Sequence, residues 1–546
     1  MLSTTVKRPL IITEKHICIF ITVLVILLQF SALQVPILEP DGALYAGIAK
    51  TMVQRHDFLN LYADSHDWLD KPHFPFWITA LSFQLFGFHT WSYKLPAILF
   101  LLMGAWYTYR FALSLYGERT ARWALCILLT AEHLVISNND VRAEPYLTGL
   151  IIAAVYHFYR SIRTPWHLVA GALFTACAIM TKGMFALIPV GAAIGGHLLF
   201  TRNWKEIFRW KWLLALVLTG IFIIPELYAL YQQFDLHPEK VVFGATGVSG
   251  LRFFFWDSQF GRFMNTGPIK GAGDPFFFFH TLLWAFLPWS VMLYAAVVIF
   301  IKKWRQQREY YCICGALATF VLFSLSRFQL PHYLNIVFPF FAILTAQYIL
   351  SLQTPRGLRF FRTTQYTIII LVAIAGVVLD LLYKPAMGYA WLIPVAVLIL
   401  LYILLHYWLD KTTKEAVFYR TVAISILLNL YLNTILYPDM MQYQSGSEAA
   451  RYANASFPAT PVGMYKVNSY AFEFYMKAPV ARYDSVGSGM IFTSPEAVEE
   501  LRQQGRTCTL IKSFPHFYVS KLDLPFVRKA TRSGALGERM LVRVEK

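Results

Sequence analysis

Glu39-Pro40-Asp41-Gly42-Ala43-Leu44-Tyr45-Ala46 follows directly on the first long apolar run of the chain. The backbone would leave a bilayer here, and two carboxylates two residues apart flank a proline at the hydrocarbon edge. Ionisable groups at such a depth are costly to keep and mark functional sites by default. The plain alternative is a helix N-cap, because Asp41 precedes the helix-compatible run Gly-Ala-Leu-Tyr-Ala-Gly-Ile-Ala-Lys. A cap needs only Asp41 and leaves Glu39 unexplained. Position alone supports the two readings equally.

The surrounding chain has the composition of a polytopic membrane protein. Of its 546 residues 57% are hydrophobic and 14% charged, against about a quarter charged in soluble domains. Apolar runs of about 20 residues recur along most of the length. Spanning helices are expected near 16–36, 92–113, 122–137, 145–160, 166–181, 183–200, 211–231, 279–301, 310–325, 332–351, 365–383, 389–408 and 419–437, about thirteen in all. The first run follows Lys7, Arg8 and Lys15 and ends in Gln34-Val35-Pro36 with no small-residue cleavage pattern, so it reads as a retained helix.

Alternate connections carry the positive charge: Arg119 and Arg122, Arg160 and Arg163, Arg202 to Lys211, Lys302 to Arg308, Arg356 to Arg362, and Lys411 to Arg420. This side, with the N-terminus, is expected to be cytoplasmic, and an odd number of spans puts the C-terminal tail outside. The formal charge of +17 is thereby assigned to topology and to anionic lipids or phosphorylated substrates rather than to nucleic acid. Five of the six cysteines (Cys18, Cys126, Cys177, Cys312 and Cys314) fall in apolar segments and Cys508 in the polar tail, so no disulfide framework is expected.

The opposite side holds a long loop over 37–91, a tight polar connection over 138–144 and a second long loop over 232–278. Loops of this size without structure are uncommon unless they carry function. Phe74 to Leu81 reads as a short helix lying in the interface. From Pro438 the composition changes. Val462 to Tyr465, Gly489 to Phe492 and Thr509 to Ile511 read as strands, and Glu496 to Gln504 as a helix capped by Ser494 with Pro495 at its first position. Residues 1–437 thus form a membrane domain and 438–546 a small extramembrane α/β domain.

The unusual polar residues gather on that same side: Glu39 and Asp41, Asp70 and Lys71, Asp140, Arg142 and Glu144, Lys182, Arg262, and Arg327, His332 and Tyr333. A carboxylate poised against a low-dielectric wall can serve as a general base, or a pair of them can hold a hard divalent cation. Lysine and arginine at the interface suit a phosphate. Together these groups fit transfer from a lipid-phosphate donor. Plain alternatives stand beside that reading: snorkelling for Lys71 and Lys182, an ion pair with Arg142 for Glu144, and a cation–π contact for Arg262.

Asp41-x-x-x-Tyr45-Ala46, Asp70-Lys71-Pro72, Trp77-x-Thr79-Ala80-Leu81, Arg142-x-Glu144-x-x-Leu147, Thr181-Lys182-Gly183, Arg262-Phe263, Phe286-Leu287-Pro288-Trp289 and Leu330-Pro331-His332-Tyr333 occur in one order along the chain. This set resembles the C-type (GT-C) glycosyltransferase superfamily. It is most similar to the bacterial aminoarabinose transferases of lipid A, with the protein O-mannosyltransferases as wider relatives. The resemblance implies a multi-pass protein of the bacterial inner membrane that moves a sugar, with inversion, from undecaprenyl phosphate to a lipid or glycan acceptor at the periplasmic face. It implies Asp41 as the catalytic carboxylate, with Glu144 in the second acidic position and Glu39 beside them, and a divalent metal (Mg, Mn or Zn) shared by Asp41 and Glu144. Lys71, Lys182, Arg262 and Tyr333, with Tyr45 and Arg142, would surround the lipid phosphate. Nothing demands a partner protein, so a monomer is expected.

Four positions depart from the family pattern. Gly42 stands where an acidic residue often follows the aspartate, Leu44 where an arginine is found, His73 replaces the second proline after Lys71, and Arg327-Phe328-Gln329 replaces the usual Ser-Lys before Leu330-Pro331. These changes point to a different head group or acceptor. The acceptor alternative is a protein hydroxyl. The alternative of another class is a lipid or solute transporter, which would place its essential charges at mid-membrane and show inverted repeats.

Overall fold

The computed structural model describes residues 14–64, 66–266, 270–386, 388–407, 413–458 and 460–545, without the side chains of Glu14, Lys15, Arg262 and Tyr407. Lys7, Arg8 and Lys411 of the basic side lie outside the described residues. The first half of the chain forms α1 (Glu14–Phe30), α2 (Asp41–Arg55), α3 (Phe74–Phe86), α4 (Thr90–Tyr116), α5 (Glu118–Leu129), α6 (Glu132–Ser137), α7 (Glu144–Ser161) and α8 (His167–Lys182).

Each segment expected to span falls on helix, but several are broken where a hydropathy window averages over the break. Among the described residues six helices are long and apolar enough to cross a membrane. A seventh is added if Trp204–Phe222 and Ile224–Asp235, bent by 41°, count as one span. The segment expected over 122–137 is two helices, α5 and α6. At the join the Glu132 N–H donates to the Leu287 carbonyl at 3.0 Å, and the Thr130 hydroxyl donates back to Cys126 O at 2.6 Å while accepting from the Trp289 indole at 3.0 Å. The segment over 279–301 likewise divides into Phe277–Ala285 and Ser290–Lys302, around Pro288, which has no N–H to continue a helix.

At the centre stands α7, buried from Glu144 to Phe158, and a helix apolar all round belongs in the core of a bundle. It approaches α4 through small residues. A Cβ on Gly149 would lie 2.2 Å from the Phe100 carbonyl oxygen, so no larger residue fits there. The basic connections meet one another at one end of the bundle. There Arg119 pairs with Glu415 and the Lys414 ammonium donates to Leu350 O at 2.9 Å. The first residues of α2 and α7 and the last of α8 lie at the other end, together with α3, a helix as expected.

The long loop over 232–278 is not structureless. Gly250–Met264 is helical, with a π-helical stretch over Phe253–Gly261. After a small hairpin of β1 (Tyr62–Ala63) and β2 (His66–Asp67), the remaining strands among the described residues lie beyond residue 460. They are β3 (Val462–Tyr465), β4 (Arg482–Tyr483), β5 (Gly489–Thr493), β6 (Thr507–His516) and β7 (Gly537–Glu545), in the order β4-β3-β5-β7-β6. The β3–β4 and β3–β5 pairs are parallel, the β5–β7 and β6–β7 pairs antiparallel. The helix over Pro495–Gln503 begins as its sequence requires, with the Ser494 hydroxyl accepting from the Ala497 N–H at 3.4 Å.

Candidate active site

Asp41 is the first residue of α2 and makes no capping bond; Pro40 precedes the helix. The cap reading is thereby corrected, because the carboxylate turns to Arg142, whose Nη1 lies 2.7 Å from Oδ2. The same guanidinium donates to Asp140 from Nε and Nη2, both at 2.8 Å, and so bridges two carboxylates. Burial opposes its charge, but Asp140 and Asp41 outweigh that and hold Arg142 above its ordinary value. Burial raises Asp140, with the Arg142 charge opposing. The 138–144 connection is fixed from several sides: Tyr93 OH donates to Val141 O at 2.9 Å, Asn138 to Gln29 at 2.8 Å and Asn139 to Asn433 at 2.7 Å.

Glu144 opens α7, and its side chain is 3% exposed. Its partner is Lys182 rather than Arg142: the ammonium donates to Glu144 Oε1 and lies 3.7 Å from the centroid of the Tyr333 ring. His332 Nε2 stands 3.8 Å from the same carboxylate oxygen. Lys182 ends α8 because Gly183 takes a φ of +94°, and a Cβ there would meet the Gln259 amide at 2.1 Å. Gln259 in turn donates to Lys182 O at 3.2 Å. Thus Thr181-Lys182-Gly183 reads as a helix end that aims a lysine, with the second long loop holding the turn.

Asp41, Tyr45, Asp70, Lys71, Arg142, Glu144, Lys182, His332 and Tyr333 line one polar cavity of about 190 Å³. Lys71 lies 2.5 Å from Asp70. Burial, with Asp41 and Asp70 adding to it, raises Tyr45 well above its ordinary value, so its phenol stays a proton donor. A second cavity of about 80 Å³, mostly apolar, shares Asp70, Lys71, Lys182, Phe328 and Tyr333 as its boundary and continues between Leu147, Phe253, Phe254 and Phe323.

Three expectations need correction or placing. Glu39 is not in this cavity. Its carboxylate is spent on the C-terminal unit, accepting from Ser469 Oγ at 2.7 Å and Ala471 N–H at 2.6 Å. Arg262 begins the short helix ending the Gly250–Met264 run, and its side chain lies outside the described residues. A metal shared by Asp41 and Glu144 does not fit this donor set. Arg142 occupies one carboxylate and Lys182 the other, and among the described residues no group of three or more His, Cys, Asp or Glu side chains converges.

The sequence reading missed His73 as a structural residue. With Glu226 it is fully buried; its Nδ1 lies 3.0 Å from Glu226 Oε1, its backbone N–H donates to Oε2 at 3.0 Å, and its Nε2 lies 3.0 Å from Leu59 O. The available signal was Glu226 itself, a lone carboxylate inside the apolar run Phe222-Ile223-Ile224-Pro225-Glu226-Leu227.

The architecture is the fold of the GT-C glycosyltransferases, carried by a multi-pass membrane protein. It superposes on the crystal structure of ArnT from Cupriavidus metallidurans bound to undecaprenyl phosphate with a TM-score of 0.73, at 18% identity over 97% of this chain and 98% of that one. The same enzyme in the apo state gives 0.71. The family described as dolichyl-phosphate-mannose-protein mannosyltransferase matches residues 70–228. Among named relatives, the undecaprenyl phosphate-alpha-4-amino-4-deoxy-L-arabinose arabinosyl transferase of Shewanella sediminis is 24% identical over 62% of this chain and 61% of its own length. That of Edwardsiella ictaluri is 28% identical over 58% and 56%. The chain thus spans about three fifths of the length of these relatives.

Proposed function

We propose that the protein transfers a sugar from an undecaprenyl-phosphate-linked donor to a lipid or glycan acceptor at the periplasmic face of the inner membrane. The carrying observation is the shared wall. Lys71, Lys182 and Tyr333 line both the polar and the apolar cavity, which is where a lipid phosphate would bridge a polyprenyl tail and a sugar. The names of the relatives support this donor class.

In the proposed step Asp41 takes the proton of the acceptor hydroxyl as its oxygen bonds to the anomeric carbon from the face opposite the phosphate. The bond from that carbon to the phosphate oxygen breaks, and undecaprenyl phosphate leaves as the anion. Arg142 holds the Asp41 carboxylate in place. Lys71 and Lys182 receive the leaving phosphate, with the Tyr45 and Tyr333 hydroxyls as donors. Glu144 then acts through Lys182, which it fixes over the Tyr333 ring, rather than as a second base. No step is routed through a metal.

This reading carries with it about thirteen crossings, a cytoplasmic N-terminus, a periplasmic C-terminal unit over 438–546 and action as a monomer. The family match over 70–228 supports a second reading of the acceptor, a protein hydroxyl. Placement bears against the transport reading: Asp41 and Glu144 begin helices, Lys182 ends one and His332 and Tyr333 open another, all at one end of the bundle, whereas a transporter keeps its essential charges near the bilayer midplane.

The test is release of undecaprenyl phosphate in detergent from a panel of undecaprenyl-phosphate sugars, with a membrane extract as acceptor. Wild type should release it from one donor and Asp41→Asn should not. Acceptor-independent binding that is equal in both proteins would remove Asp41 from catalysis and revive transport.

A further inference from the structure

Glu39 and Lys50 stand at the two ends of the segment that carries Asp41, and both reach the same short helix of the C-terminal unit, Tyr470–Tyr475. At its first turn the Glu39 carboxylate accepts from Ser469 Oγ and from the Ala471 N–H. At its last turn the Lys50 ammonium donates to Glu473 O at 3.1 Å, Phe474 O at 2.8 Å and Met476 O at 2.8 Å. Groups that a helix leaves unsatisfied, amides at the start and carbonyls at the end, are thus met by opposite charges of matching sign.

Lys50 is 9% exposed. Burial pulls its ammonium down to about 8, with the Glu473 carboxylate opposing. It therefore keeps its charge at neutral pH, and its three N–H groups match three carbonyls. An apolar residue here would avoid the desolvation cost of a cation but leave these three carbonyls without their donor; the lysine meets them in one fixed geometry. Further bonds continue the seam. The Glu39 N–H donates to Gln444 Oε1, Gln444 Nε2 donates to Ile37 O and the Ile37 N–H donates to Tyr475 OH, each at 2.9 Å.

Between the two contacts Asp41 occupies the first turn of α2, and the bridge from Arg142 meets it from the other side. We propose that Glu39 and Lys50 are positioning residues: by holding both ends of the Tyr470–Tyr475 helix they lock α2 to the C-terminal unit and set the reach of the Asp41 carboxylate. The C-terminal unit is then part of the catalytic apparatus. This rests on the reading of Asp41 as the base.

The full chain is compared in detergent as wild type, Glu39→Leu, Glu39→Gln, Lys50→Met and Lys50→Arg. Three quantities are followed: kcat and KM for undecaprenyl phosphate release, binding of undecaprenyl phosphate alone, and amide hydrogen exchange over residues 41–55. Glu39→Leu and Lys50→Met should each lower kcat about tenfold or more, since small misplacements of a reacting group are that costly. Donor KM and undecaprenyl phosphate binding should stay unchanged, and exchange over 41–55 should quicken. Lys50→Arg and Glu39→Gln, which keep donors and an acceptor oxygen, should restore most of both. Wild-type kcat despite quickened exchange, or a lowered kcat with unchanged exchange, overturns the proposal. If Lys50→Met does not fold, the Glu39 pair decides by the same criteria. If wild type releases no lipid phosphate, the transferase reading fails, and unchanged exchange in the variants would then separately overturn the lock.

Discussion

The polar cavity around Asp41 and the apolar cavity beside it meet along Asp70, Lys71, Lys182, Phe328 and Tyr333. On the polar side each acidic group has a cation of the same chain against it: Arg142 on Asp41 and Asp140, Lys182 on Glu144, Lys71 on Asp70. On the apolar side, among the described residues, the one charged lining residue beyond the shared wall is Glu226, which is engaged by His73. Both lysines of the polar cavity, Lys71 and Lys182, therefore stand on the boundary, each paired with a carboxylate. A molecule that seats there has a charged joint between an apolar and a polar part, which is the shape of a polyprenyl-phosphate sugar. The comparison predicts that substitutions on the two sides separate turnover from binding.

Asp41→Asn should give the largest effect, a fall in kcat of about 10²- to 10⁴-fold, the range for loss of a general base. Binding of undecaprenyl phosphate, measured by displacement of a labelled lipid, should change little. If lipid binding falls in parallel, the two cavities are not functionally separable and the division drawn here is broken.

The His73–Glu226 pair tests the wall itself. His73→Phe removes the ring partner of Glu226 Oε1 and leaves the carboxylate only the residue-73 N–H on Oε2; leaving a buried polar group short of a partner costs about 1–3 kcal/mol. Thermal unfolding in detergent should show that loss, while Glu226→Gln with His73→Phe should recover much of it. Recovery would mark the pair as a fastener for the 57–73 loop rather than part of the chemistry.

Lys71→Met removes one cation from the boundary. A charge-assisted hydrogen bond contributes about 1.5–3 kcal/mol, so donor KM should rise about 10- to 100-fold with kcat within a few-fold. The reverse pattern, a fallen kcat at constant KM, would move Lys71 to the polar side as a transition-state group.

These residues were unequally legible in the sequence. The set on one face was visible because Asp41, Glu144 and Lys182 sit at the ends of apolar runs, where a charge is conspicuous. The Ser494-capped helix and strands β3, β5 and β6 were visible because capping and alternation are local. Partners were not visible. Glu39 meets Ser469 and Lys50 meets Phe474 across more than 400 residues of intervening chain, and no pattern in either stretch names the other. The joins at Thr130 and Pro288 were passed over for another reason: a window of about 20 residues averages across Glu132-His133 at the first and across the proline at the second, and the bond from Glu132 N–H to Leu287 O shows that the two helices stop opposite each other.

The smallest effect belongs to the apolar side and sharpens the comparison most. Ser258 lines the apolar cavity and not the polar one, on the helical turn whose Gln259 holds the Lys182–Gly183 bend. Ser258→Phe fills part of the apolar cavity that the proposed function gives to the lipid, and such overpacking costs about 1 kcal/mol at its mild end, or roughly fivefold in donor KM. Its kcat at saturating donor should equal that of wild type, because nothing on the polar side has moved. A donor with a shortened polyprenyl tail should feel the substitution less, since less chain has to pass the added ring. If instead kcat falls while KM holds, the Phe253–Gly261 turn is transmitting strain through Gln259 to Lys182, and the apolar cavity is coupled to the site rather than merely adjoining it.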